Sequence, residues 1–125
     1  METKKKSWGV ETIFVNNELY CMKEILCHDK WSSNGKFHYH KNKDETFVMS
    51  KGILLLQTKY NGDVQTIHLK EDQSFRIAPG ILHRFKSAND KLCIFLEVST
   101  HHEDSDSYYE EIIEHFPYSS LGGQQ

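Results

Sequence analysis

Short apolar runs separated by turn residues fill most of the chain, and they predict an all-β domain. The predicted strands lie at 12–15, 19–27, 37–40, 45–49, 53–60, 64–69, 75–78, 82–86 and 92–98. The residues between the runs are mostly Asn, Asp, Gly, Ser and Lys, which favour turns and loops. Because no helical segments intervene and the strands recur about every ten residues, we expect an antiparallel sandwich or barrel.

Asn61 and Gly62, between two of these runs, are the strongest hairpin signal in the sequence. Both residue types tolerate the positive φ that a type I′ turn requires. We therefore predict that the runs on either side pair as an antiparallel hairpin.

The end of the chain changes from a strand pattern to a helical one. Ser107 and Glu110 have the three-residue spacing of a capping box, and Pro117 can stop a helix. The apolar residues Tyr108, Ile112, Ile113 and Phe116 lie on one helical face. We therefore predict a helix at 107–117. Together with the strand pattern, this divides the chain into a flexible N-terminus at 1–7, a barrel at 8–106, the helix and a flexible tail at 118–125.

Length and charge narrow the functional classes. The chain has 125 residues, enough for one compact domain, and its net charge of −3 is not that of a nucleic-acid-binding protein. It contains no apolar stretch long enough for a membrane span and no secretory leader, so we expect a cytoplasmic protein without a membrane partner. The three cysteines at 21, 27 and 93 form no CxxC pair and are expected to be free thiols.

Four side chains have a spacing that suits a metal. His38 and His40 are two residues apart, so in a strand their imidazoles point to the same face. Glu45 follows past a short turn, and His83 comes from a distant strand. Three nitrogens and one oxygen in one place suit a divalent transition ion such as Zn, Mn, Fe or Ni.

The alternative is that His38 and His40 are exposed loop residues beside a charged run. Aromatic residues alternate with the histidines, and the apolar run from Phe47 to Met49 follows directly. This pattern favours a strand, a polar turn and a second strand, and therefore the metal interpretation.

The motif His38-x-His40-x4-Glu45-x6-Gly52 resembles the first motif of the cupin superfamily, and Gly80 and His83 fit the second. Ala78 and Ser87 stand where that second motif usually has Pro and Asn. The resemblance implies a conserved β-barrel, a double-stranded β-helix or jelly roll, here with a short C-terminal helix. It also implies a metal held by the four residues named above.

A narrower resemblance is to mannose-6-phosphate isomerase-type cupins. The features that carry it are, in order, Trp8-Gly9, Tyr20 to Lys23, the histidine strand, Phe95 to Val98 and Asp104 to Asp106. It implies a sugar or sugar-phosphate isomerase or epimerase with a small-molecule substrate such as a sugar phosphate. The alternatives are an Fe(II)-dependent dioxygenase and a non-catalytic small-molecule binding or sensor module.

The resemblance also implies a homodimer. The interface would come from residues 12–15 or from the predicted C-terminal helix with Ile112, Ile113 and Phe116.

Two residues are candidate catalytic groups. Lys36 shares strand parity with His38, so it can face the interior and bind an anion or act as an acid; the alternative is a solvated lysine at the rim. Glu97 interrupts an apolar strand and is either a catalytic or supporting carboxylate or half of a salt bridge. Lys23 matches a strand lysine of the family, although lysines on edge strands are also ordinary.

The candidate pocket residues follow from the same parity. Phe47 and Met49 share a face with Glu45, and Phe85 shares one with His83. They are expected to wall a pocket, with plain barrel core as the alternative. The other histidines, at 28, 68, 101, 102 and 115, are expected to lie in solvated loops or surfaces.

Overall fold

The fold consists of two antiparallel β-sheets that enclose one core. It is known from a computed structural model, which describes residues 1–89 and 91–110. The strands are β1 (Glu2–Lys6), β2 (Gly9–Asn16), β3 (Cys21–Cys27), β4 (His38–Tyr39), β5 (Glu45–Lys51), β6 (Leu54–Tyr60), β7 (Asp63–Leu69), β8 (Ser74–Ile77), β9 (Leu82–Ser87), β10 (Cys93–Ser99) and β11 (Tyr108–Tyr109). One sheet has the order β1-β2-β3-β10-β5-β8 and the other β11-β4-β9-β6-β7. The predicted all-β sandwich is therefore confirmed.

The hairpin predicted at Asn61 and Gly62 is present. Both residues have positive φ, 50° and 83°, and they join β6 to β7 in continuous register from Leu54 opposite Leu69 to Tyr60 opposite Asp63. The turn residues thus set the pairing of these two strands.

The N-terminus differs from its prediction. Residues 1–7, expected to be flexible, contain β1, which pairs with β2 from Glu2 opposite Ile13 to Lys6 opposite Gly9. The local sequence is rich in lysine and has no apolar run, so the strand is formed by the hydrogen-bonding edge of β2. Lysines on such an outer strand also discourage further strand addition.

The C-terminal prediction differs as well. Within the described part of the predicted helix, Tyr108 and Tyr109 form β11 against β4, and the Glu110 amide donates to the Phe37 carbonyl at 2.9 Å. Ser107, predicted to cap that helix, instead follows a 3-10 turn, Asp104–Asp106. Residues 111–117 of the predicted helix and the tail at 118–125 lie outside the described residues.

The inward faces of the strands are apolar at one end and polar at the other. In β5, for example, Glu45 precedes Phe47 and Met49 on the buried face, and in β10 Phe95 precedes Glu97. Side chains alternate across a strand, so every second residue points into the sandwich. The apolar ends pack into one cluster: Trp8, Ile25, Cys27, Phe47, Met49, Leu54, Leu56, Leu69, Ile77, Phe85, Cys93 and Phe95.

The polar ends meet at the opposite end of the interior, where the candidate site lies. Among the described residues, no helix has the length and apolar character that a membrane span needs.

Candidate metal centre and its cavity

Sheet register brings the three predicted histidines together. His38 on β4 lies directly opposite His83 on β9, and His40 follows two residues later on the same face. One ring nitrogen from each of the three lies within 4.8 Å of the others. Glu45, the first residue of β5, joins them: its Oε2 is 3.3 Å from His40 Nε2 and 3.2 Å from His83 Nε2.

Two backbone carbonyls orient these imidazoles. The Asp106 carbonyl lies 2.8 Å from His40 Nδ1, and the Ile81 carbonyl lies 2.9 Å from His83 Nδ1. A carbonyl can only accept, so both Nδ1 atoms donate and each Nε2 is the nitrogen available to a metal. Both Nε2 atoms face the same carboxylate oxygen.

This arrangement leaves buried polar atoms without partners. Among the described residues, the side-chain atoms that are buried and unpaired are His38 Nδ1 and Glu45 Oε2, and both belong to the quartet. Each such atom costs about 1–3 kcal/mol unless something satisfies it. Two ligands bound to one ion at about 2.1 Å are about 3.0–3.4 Å apart, which matches the contacts of Glu45 with His40 and His83. The residues therefore fit a divalent cation.

The protonation states agree with that fit. Burial, then the neighbouring His83 and His40, holds the pKa of His38 well below its usual value, so His38 is neutral. Burial opposes ionisation of Glu45, but His40 and His83 outweigh it and hold the pKa of that carboxyl well below its usual value. A neutral imidazole and an ionised carboxylate are the forms that bind metals.

A row of alternating charges adjoins the quartet. Lys43 Nζ lies 3.6 Å from Glu45 Oε1 and 3.0 Å from Glu97 Oε2. Lys23 Nζ lies 3.9 Å from the same Glu97 oxygen and 3.2 Å from Glu11 Oε1. Lys23 and Lys43 are only 2% and 3% exposed, so these ion pairs lie out of bulk water. Burial opposes the charged form of Lys43, but Glu97 and Glu45 raise its pKa, so it is a fixed cation.

His102 extends this row towards the surface. Its Nδ1 lies 3.1 Å from Lys43 Nζ, and its Nε2 lies 2.9 Å from Asp104 Oδ1. Burial, and then Lys43, lowers the pKa of His102 below its usual value. His102 was expected in a solvated loop, but it lines the cavity, because the chain segment that follows β10 returns to the site.

Lys43 and Lys23 also differ from their expected surroundings. Lys43 belongs to a charged run that the sequence places in a polar turn, yet its side chain is buried. Lys23 lies on β3, between β2 and β10, so it is not on an edge strand. Side chains alternate between the two faces of a strand, so Lys23 lies on the same face as Ile25 and Cys27, and this alternation could have assigned it to the buried face.

The turn that carries Lys43 is held by one carboxylate. Asp106 accepts hydrogen bonds from the backbone amides of Lys41 at 2.9 Å, Asn42 at 3.1 Å and Lys43 at 3.0 Å. Its own carbonyl is the acceptor for His40. Asp106 therefore fixes both the His40 ring and the segment that joins His40 to Glu45.

The quartet and the charged row line one cavity of about 260 Å³. Phe47, Phe85 and Trp8 form its apolar wall, with the Trp8 and Phe85 rings edge to face at 5.1 Å. Of the predicted pocket residues, Met49 lies deeper, in the apolar cluster, and does not line the cavity.

The two predicted catalytic residues have different positions. Glu97 lines the cavity within the charged row. Lys36 is exposed and does not line it; its Nζ lies over the Tyr109 ring, 5.9 Å from the ring centroid. The short β4 begins only at His38, so strand parity does not extend back to Lys36.

No family model and no curated protein matches the sequence. Solved structures do share the fold. The capsular polysaccharide assembling protein CapF from Staphylococcus aureus has a TM-score of 0.75 at 16% identity, covering 89% of this chain and 32% of CapF. KdgF from Halomonas sp. has a TM-score of 0.68 at 9% identity, covering 84% of this chain and 92% of KdgF.

Oxalate decarboxylase from Bacillus subtilis has a TM-score of 0.74 at 14% identity, covering 86% of this chain and 29% of that enzyme. Another structure of that enzyme describes its Mn(II) centres. The present chain thus spans about a third of the length of CapF and of oxalate decarboxylase. At such identities the likeness shows the fold alone. The chain has the cupin fold, with a cluster of three histidines that can hold a metal ion.

Proposed function

We propose that this cupin binds a divalent metal through His38, His40, His83 and Glu45 and isomerises or epimerises a sugar or sugar phosphate. The observation that carries the proposal is the position of the quartet in a cavity beside the buried Lys43–Glu97 pair. A hydroxy-carbonyl substrate needs a polarised oxygen and a group that moves a proton at the neighbouring carbon, and this cavity offers candidates for both.

The metal, when bound, supplies Lewis-acid polarisation of the substrate oxygen. The Lys43 ammonium would stabilise negative charge that develops on that oxygen. The Glu97 carboxylate, whose Oε2 is 3.0 Å from Lys43 Nζ, would accept and return the proton of the substrate carbon. The apolar wall of Trp8 and Phe85 would exclude water from the rest of the substrate.

The size of the cavity supports a small substrate. Ligand pockets for larger molecules usually have about 300–1,000 Å³, and this one has about 260 Å³. Lys36 takes no part in the proposal, because it is exposed and lies outside the cavity.

The test combines metal analysis with proton exchange. Protein loaded with Mn(II) is incubated in deuterated water with a panel of sugars and sugar phosphates, and loss of the C2 proton is followed by NMR. We expect exchange with at least one of them. The Glu97→Gln variant should keep the metal but exchange at least about 100-fold more slowly, because it cannot accept a proton.

The matched controls are two histidine variants. His40→Ala should lose metal and exchange together, whereas His68→Ala, on the exposed face of β7, should keep both. Metal binding without exchange would contradict the isomerase proposal, and oxygen uptake by the iron-loaded protein would favour a dioxygenase. If added divalent ions did not change the stability of the protein, that result would favour a metal-free binding module.

A further inference from the structure

Two buried cysteines face each other away from the metal centre. Cys27 at the end of β3 lies directly opposite Cys93 at the start of β10 in the antiparallel ladder. Both are fully buried, with 0% of their surface exposed. Cys21, at the other end of β3, lies opposite Ser99 instead.

The backbone geometry of this pair suits a covalent link. Directly opposite residues in antiparallel strands have Cα atoms about 4.5 or 5.5 Å apart. Disulfides accept Cα separations of about 4.4–6.8 Å, so no strand would have to move far. Both side chains point to the same inner face, and the Cys27 thiol donates to the neighbouring His28 carbonyl at 3.2 Å.

We propose that Cys27 and Cys93 are a redox-sensitive dithiol that a peroxide closes to a cross-strand disulfide. The Cys93 thiolate attacks one oxygen of hydrogen peroxide, the O–O bond breaks and the other oxygen leaves as hydroxide, so a sulfenic acid forms on Cys93. The Cys27 sulfur then attacks the Cys93 sulfur, the S–O bond breaks and water leaves. In total, two thiols and one peroxide give one disulfide and two waters.

The pKa values of the two thiols differ, and the difference fits the order of these two steps. The interaction with Cys27 lowers the pKa of Cys93, although burial opposes that effect. The contact with Cys93, and then burial, raises the pKa of Cys27. Cys93 is therefore the thiol that ionises first and reacts with the peroxide.

The link would act on the strands that carry the charged row. Lys23 and Glu97 are opposite each other in the same ladder, four residues from the cysteines. All four candidate metal ligands lie between residues 27 and 93 in the sequence, so the disulfide would close a loop around them. Closing a long loop restricts the unfolded chain and stabilises the fold. The inference is independent of the proposed enzymatic function.

The test begins with the reduced, folded protein treated with hydrogen peroxide. Intact mass should fall by two hydrogen atoms, and peptide mapping after alkylation should find Cys27 linked to Cys93 while Cys21 is alkylated. The midpoint of thermal unfolding should rise and return to its first value after reduction. Cys21→Ser should behave like the parent protein, whereas Cys93→Ser and Cys27→Ser should not lose the two hydrogens.

A second experiment oxidises the chain while it refolds, because the two cysteines are then accessible to the oxidant before they become buried. The reduced, denatured chain is refolded with oxidised glutathione, and we expect the same one of the three possible pairings. A link that involves Cys21, oxygen addition at Cys93 without a link, or a linked protein with a lower unfolding midpoint would overturn the inference.

Discussion

Asp106 shows how much of the site depends on one residue that the sequence assigns to another role. It was expected near a helix start, but its carboxylate accepts three amides of the turn at 41–43 and its carbonyl orients His40. His38, His40 and Glu45 were predictable, because strand parity and a short turn fix their spacing locally, whereas His83 was expected from its match to the second motif. Asp106 and His102 were not, because they reach the site from more than fifty residues away in sequence.

At this scale we predict that Asp106→Asn weakens metal binding about 10–100-fold. An amide has only one acceptor oxygen and two donors, so it cannot hold the three amides that position His40 and Glu45. Titration of the metal-free protein with Mn(II) or Zn(II) measures the change. Asp104→Asn is the matched control, since Asp104 is exposed on the same 3-10 turn. Equal affinities in both variants would show that the turn does not position the ligands.

Strand by strand, the sequence predicts the fold where the signal is local and fails where it is not. Of the eleven strands in the described residues, nine coincide with predicted runs to within a few residues, since the apolar residues and the turns that define them are close together in the sequence. The two exceptions, β1 and β11, are formed by pairing with β2 and β4. A lysine-rich end and a helix-like pattern carry no sign of those partners.

At the element scale we predict that Gly9→Ala is strongly destabilising. A Cβ at Gly9 would lie 1.8 Å from the Leu26 carbonyl oxygen on the paired strand, so β2 and β3 would have to separate locally. We expect the free energy of unfolding to fall by about 3 kcal/mol. Chemical denaturation measures it.

Gly62→Ala is the comparison for that variant. Gly62 also has positive φ, but a Cβ there would meet nothing within 4 Å, so only backbone strain of about 1 kcal/mol is expected. An equal loss of stability in both variants would contradict the explanation that the close approach of β3 requires glycine at position 9.

On the scale of the whole molecule, the site and the fold are coupled through the buried quartet. The unpaired buried atoms of His38 and Glu45 lower the free energy of unfolding of the metal-free protein. The expected homodimer stays a prediction; β1 pairs with β2 only from Gly9 to Ile13, so its ladder ends before Phe14 and Val15.

We therefore predict that metal binding stabilises the whole domain. At a free metal concentration about 100 times Kd, the free energy of unfolding should rise by about 2.7 kcal/mol. Thermal unfolding with and without Mn(II) measures the rise, with a chelator to reverse it. His40→Ala should remove the dependence on metal. A midpoint unaffected by metal in the parent protein would contradict it.

The polar and apolar ends of the strands have a further consequence for how such a domain can diverge. Along β5, Glu45 and Met49 are four residues apart on one face, a distance of about 13 Å. Changes at positions so far apart usually add without interfering. Substitutions among the cavity-lining residues can therefore leave the packing of the apolar half unchanged, and new chemistry can arise without a new scaffold.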